Sequence, residues 1–251
     1  MDVYDILLVI GAGFAAGFIN TIAGGGSLIS LPILIFLGLP PAVANASNRV
    51  AIFSQNVFGV LGFKSKGVSA FPFSLWLGLS ALGGAVIGAK IAVDIPEELF
   101  NKLLSVIMIV VVVFIVRKSI RKKKEELLER MGAKHQVVSI ILFFFVGIWG
   151  GFIQAGVGFL IIMVLTSVNQ FSLVKTNSAK VLVVLIYTSA ALAVFILEGT
   201  INWWYGGLLA VGNSGGAWVA SRWSVEKGDK WVMLILVIAV VAMAIKLWFI
   251  E

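Results

Sequence analysis

Arg49 and Lys180 are the residues of this sequence best placed for chemistry. Each cation stands about one third of the way into a long apolar stretch. A cation at membrane depth is costly and faces a cavity or a partner. No Asp or Glu lies within the membrane-embedded part of the apolar segments to neutralise either one. A bound anion would supply the missing charge. Asn45, Ser47 and Asn48 surround Arg49, and Asn177 and Ser178 precede Lys180, so amide and hydroxyl donors stand ready to complete a polar pocket. The bland alternative is snorkelling, with each long side chain reaching the headgroups.

Two glycine breaks form the second constellation. Gly24, Gly25 and Gly26 interrupt an apolar run, followed by Ser27 and preceded by Asn20; Gly156 and Gly158 do the same after Gln154. Glycine breaks helices because it loses the most backbone freedom on ordering and accepts positive φ. Irregular backbone at membrane depth is tolerated only where protein or a water-filled cavity covers it. A half-helix that starts there presents free N–H groups and a positive dipole end, which suits an anion. The alternative is close helix packing through small residues. Packing is the preferred reading for Gly83-Gly84 and Gly215-Gly216, and the site reading for the two breaks.

Composition sets the class. The 251 residues are 60% hydrophobic and 12% charged, with a mean hydropathy of +1.07, far more apolar than a soluble domain. The chain is expected to be a polytopic protein of the lipid bilayer. It has no cysteine and one histidine, His135, so a thiolate metal site, a catalytic triad and an intramembrane metal cluster all lack their parts. No enzyme and no cofactor is expected. The net charge of +7 is clustered in short segments, a topology signal and not a nucleic-acid footprint. The acidic start MDVYDILLVIG lacks the basic region of a cleavable signal.

The apolar segments run over about 5–22, 25–38, 43–63, 70–93 and 99–116, then 137–154, 157–169, 174–197, 201–222 and 231–250. A spanning helix needs roughly 20 apolar residues. Residues 5–38 would make about 51 Å of helix, too long for one span and short for two. A re-entrant hairpin and a pair of short spans both remain open, and residues 137–169 pose the same choice. The halves match each other: Gly17-Phe18-Ile19-Asn20 with Gly151-Phe152-Ile153-Gln154, Gly24–Gly26 with Gly156–Gly158, Ser47, Arg49 and Val50 with Ser178, Lys180 and Val181, Gly67 with Gly199, and 83–90 with 215–222. We expect an all-α membrane protein of two inverted repeats, each a broken or re-entrant hairpin followed by three transmembrane helices. Residues 1–116 form the first repeat, 117–135 a basic cytoplasmic linker read as a charged helix, and 136–251 the second. Under the positive-inside rule the linker, Lys64, Lys66, Arg222, Lys227 and Lys230 lie inside, and both termini come out external. Lys90 and Arg222, at span ends, read as anchors, and Trp203, Trp204, Trp231 and Trp248 as interfacial belts.

The stretch GFINTIAGGGSLISLPILIFLGLPPAVANASNRV resembles the first-repeat signature of the TauE/SafE family of sulfite-exporter-like permeases, and the matching blocks extend the resemblance over the whole chain. Asn20 stands where some relatives carry Asp, and Arg49 where many carry Lys. The resemblance implies transport of a small sulfur-containing anion, sulfite or an organosulfonate, across the cell's inner (plasma) membrane. Lacking an intramembrane carboxylate, potential-driven export is favoured over proton symport. A carrier of another small solute, a non-transporting scaffold and a homodimer all remain open.

Overall fold

A computed structural model describes residues 3–96, 98–100, 102–103, 106, 128–228, 230–231, 234–235 and 238. Eight helices are described: α1 (Val3–Ile22), α2 (Ser27–Phe36), α3 (Pro41–Ser65), α4 (Phe73–Asp94), α5 (Ala133–Phe152), α6 (Val157–Ser167), α7 (Leu173–Leu197) and α8 (Trp203–Lys227). The expected segments 99–116 and 231–250, and the charged linker helix, lie largely outside the described residues. Helices α1, α4, α5 and α7 are long and apolar enough to cross a membrane. Helices α3 and α8 have 25 residues each but carry more polar side chains. At 10 and 11 residues, α2 and α6 reach only about half of a 30 Å hydrocarbon core.

Local chemistry sets most of these boundaries. Pro41 opens α3 at its first turn, where a missing N–H costs nothing. The Ser172 hydroxyl accepts from Lys175 N at 3.2 Å to start α7, and Asn202 Oδ1 accepts from Tyr205 N at 3.3 Å to start α8. Gly67 and Gly199, matched in the sequence, follow α3 and α7 in the left-handed conformation.

Each short helix folds back along the helix before it. The α3 start, the α8 start and the end of α2 share one end of the bundle: Ser47 Oγ accepts from Asn202 N at 2.8 Å, and Val9, Leu34, Leu39 and Leu209 form one buried cluster. The α5 start, the end of α6 and the start of α7 share the other end. There Arg130 N donates to Asn169 O, Ser139 Oγ bonds Asn169 Oδ1, and Ser178 Oγ donates to Val68 O. Both pairs, α1–α2 and α5–α6, are therefore hairpins that return to the end from which they start, and they start at opposite ends.

The packing interleaves the halves. Helix α1 packs on α8, and α4 on α5, along glycine seams. A Cβ on Gly17 would strike the Asn213 backbone, one on Gly216 the Phe14 carbonyl, one on Gly84 the Phe144 carbonyl and one on Gly147 the Ala81 backbone. Gly83 and Gly215 meet only phenyl rings, at 3.7 and 3.4 Å. The seams also correct two sequence matches. Gly17 packs as Gly147 does, so Asn20 is the counterpart of Gly150 and not of Gln154. Gly24 then answers to Gln154, and Gly26, not Gly24, to Gly156. The similar strings GFIN and GFIQ fall one helical turn apart because each hairpin keeps its own register against its seam.

The seams predict a contrast. Gly84→Ala should lower stability by about 1–3 kcal/mol through overpacking against backbone. Gly207→Ala, inside α8 with nothing within 4 Å of the new carbon, should instead raise it by about 0.5–1 kcal/mol through the lower backbone entropy of alanine. Thermal unfolding in detergent, followed by tryptophan fluorescence, measures both.

Candidate functional site

The two breaks are four residues each, 23–26 and 153–156. Gly24 takes φ +88° and Gln154, its structural counterpart, φ +68°. Only the first is a glycine, so Gln154 holds a left-handed conformation that a side chain disfavours. Gly156 is left-handed as well, at φ +72°. Side chains brace both turns: Asn20 Oδ1 accepts from Gly26 N at 3.3 Å, and the Trp149 indole donates to Ala155 O at 3.1 Å. The hairpins meet at these turns. A Cβ on Gly24 would lie 2.5 Å from Gly158 Cα, so only bare backbone allows the approach.

Each cation crosses to the other half. Lys180, on α7, donates to Asn20 O and Thr21 O, both at 2.9 Å, and to Asn177 Oδ1 at 2.8 Å. Asn177 Nδ2 donates to Ile22 O at 2.9 Å. Arg49, on α3, donates to Gly150 O and Gln154 Oε1 through Nη1, and to Gly151 O at 2.9 Å, Phe152 O at 3.2 Å and Asn45 Oδ1 at 3.2 Å through Nη2. Asn45 Nδ2 donates to Phe152 O at 2.9 Å. The clamps repeat residue for residue: Asn20, Thr21 and Ile22 on α1 answer to Gly150, Gly151 and Phe152 on α5.

All of these carbonyls but Asn20 O, which also accepts from Gly24 N at 2.9 Å, are orphan acceptors of two helix C-termini, which carry about half a negative charge each. The charge compensation expected from a bound anion thus comes in part from the fold. Arg49 is 0% and Lys180 3% exposed, which rules out snorkelling. Neither pairs with a carboxylate among the described residues. Lys180 has all three donors engaged, whereas Arg49 Nε is buried without a partner. The Arg49 guanidinium also lies 5.6 Å from the Phe195 ring centroid.

A third polar node joins α2 to α3. Ser30 Oγ donates to Asn48 Oδ1 at 2.8 Å, and Asn48 Nδ2 donates to Ser27 Oγ at 3.5 Å. Ser30 was absent from the sequence-based set, although its place three residues after Ser27, on the same helix face, was the available signal. Tyr187 donates to Gln154 Oε1 at 3.2 Å and packs over Gly150. Gly25 is buried in the first turn. Ser47 and Ser178 are not with the tips: each ties a long helix to the loop before α8 or α4. Asn213 and Ser214 belong to the α3–α8 seam, bonded to Gln55 at 3.2 Å and Ser54 at 2.7 Å.

Two helical hairpins meeting inside an interleaved bundle with four helices long and apolar enough to cross a bilayer define a multi-pass membrane protein. The family described as Sulfite exporter TauE/SafE matches residues 9–247, and the chain belongs to it, a family of membrane transporters. It is 27% identical over 247 residues to a probable membrane transporter protein, ORF9, of Sinorhizobium sp., covering 94% of this chain and 89% of the relative. It is 24% identical over 254 residues to a probable membrane transporter protein of Haemophilus influenzae, covering 99% and 98%. It is 26% identical over 235 residues to the probable membrane transporter protein YfcA of Escherichia coli K12, covering 93% and 86%. No solved structure matches the chain.

The clamps carry a stability prediction. Lys180→Met, which leaves Thr21 O bare while Asn20 O keeps the Gly24 N–H, should cost about 1–3 kcal/mol. Ser189→Ala, on the exposed face of the same helix, should stay within about 0.5 kcal/mol. Denaturant unfolding in detergent compares the two.

Proposed function

We propose that this transporter moves a small sulfur-containing oxyanion, sulfite or an organosulfonate, through the region where the hairpin tips meet. The observation that carries the reading is a pair of fully buried cations without a carboxylate partner among the described residues. Two unit charges face two helix C-termini worth about half a charge each, and the N-termini of α2 and α6 add about half a positive charge apiece. The balance is about two positive charges around the tips, which suits a monovalent or divalent anion. Arg49 Nε is the donor left over for it. Asn20, Gln154, Ser27 and Asn48 supply neutral polar groups around the same turns.

We read the hairpins, starting from opposite ends, as the halves of an inverted repeat, with the basic loops at the cytoplasmic face. The inner membrane, the external termini and the outward direction belong to this proposal. Outward movement of an anion from a negative cytoplasm gains about 2.3 kcal/mol per charge per 100 mV, so export runs without a coupling ion. The family description and the relatives' names support a transporter and, at the family level, sulfite. The saturated donors of Lys180 favour a second reading, in which the cations only cap helices and the protein moves a different solute or none.

Flux in proteoliposomes separates them. With a panel of sulfite, sulfonate, thiosulfate and carboxylate anions and an imposed potential, the protein should move sulfite or a sulfonate, faster when the potential assists. Arg49→Lys retains the charge but loses the Nε donor and the fork geometry, and should lower flux at least about tenfold while the protein stays folded. Normal flux in both Arg49→Lys and Lys180→Arg would reject the cation site. Flux indifferent to potential would reject uncoupled export.

A further inference from the structure

The geometry points to an anionic phospholipid site on the outer face of the α3–α8 seam. Two adjoining hollows, of about 400 and 390 Å³, run along this face and share Phe58, Ser214 and Gly215. On α3 the trough is lined by Ser54, Phe58 and Leu61, and on α8 by Val211, Gly215 and Trp218. Both sets recur at four- and three-residue steps, so each forms one continuous stripe along its helix. The walls are apolar: Phe58, Leu61 and Val211 are exposed, and the Ser54 and Ser214 hydroxyls satisfy each other. Such a trough has the shape and chemistry of an acyl-chain groove.

Its basic end supplies the headgroup chemistry. Arg222 follows Trp218 by one turn on the same α8 stripe, and its guanidinium lies 5.1 Å from the Trp218 ring centroid. Lys64, exposed in the last turn of α3, and Lys227 at the end of α8 stand at the same end of the seam. Glu226 pairs with Lys66 at 2.6 Å and also faces Arg222 and Lys227, which leaves a net of three positive charges among Lys64, Lys66, Arg222, Lys227 and Glu226. A cation stacked on an interfacial indole, at the foot of an apolar trough, matches a diacyl lipid with a phosphodiester headgroup. A soluble phosphate would leave the trough unused. The site lies outside the hairpin tips and does not rest on the transport reading.

Native mass spectrometry of the full chain tests it with dioleoyl phosphatidylglycerol against dioleoyl phosphatidylcholine. The protein should retain phosphatidylglycerol at least about fivefold more, the preference expected of one basic contact. Arg222→Gln should remove that preference. Val211→Trp, at an exposed position of the trough wall, should fill the trough and lower retention of both lipids. Inorganic phosphate alone should not displace the lipid. Equal retention of the two lipids by the unsubstituted protein, an unchanged preference in Arg222→Gln, or displacement by phosphate would overturn the site. So would a lipid-free dimer in which a second copy fills the trough.

Discussion

A helix that stops inside a bilayer leaves its last carbonyls without partners, and this fold is built around satisfying them. Water is not there to accept the task, and each bare group costs several kcal/mol in hydrocarbon. Helices α1 and α5 both end inside the packed bundle, at buried turns where the same cost applies. Lys180 closes the first end and Arg49 the second, each assisted by an asparagine, Asn177 or Asn45. Because each cation belongs to the opposite half, neither hairpin can be completed without the other half in place. The same requirement explains the interleaving, in which α4 packs on α5 and α8 on α1.

That arrangement gives the glycines two separate duties. Along the seams, Gly17, Gly84, Gly147 and Gly216 let one helix backbone lie against another, the usual use of small residues among membrane helices. At the tips, Gly24 and Gly158 let two turns touch, which brings both clamped ends and both short-helix starts to one region. Only the second duty creates a place with net positive potential. The cations are therefore structural and electrostatic together: they finish helices, and they leave a residual charge that carbonyl dipoles do not cancel.

Much of this was legible in the sequence, and the failures have physical reasons. Helix positions followed from apolar run lengths and from Gly and Pro, and the described boundaries fall within a few residues of those read. The recurrence of Arg49 and Lys180 marked them as a pair. Their partners were hidden because a helix C-terminus is a backbone feature that no residue type announces. The strings GFIN and GFIQ misled because identical letters do not fix helix register; contact with Asn213 or Ala81 does. Ser47 and Ser178 stand two residues from the cations in sequence, which is just over half a turn around their helices, and so reach loops instead of tips.

The absence of cysteine from the sequence allows a direct test of the cross-clamped tips. Ala23 and Phe159 share one buried cluster at the place where the hairpins meet. With both changed to cysteine, a short thiol cross-linker applied in native membranes should join the two halves, so that cleavage in the 117–135 linker no longer separates them. The same link should be lost or slowed when Arg49→Gln and Lys180→Met are added. No cross-link in the clamped protein, or an equal one without both cations, would contradict the account.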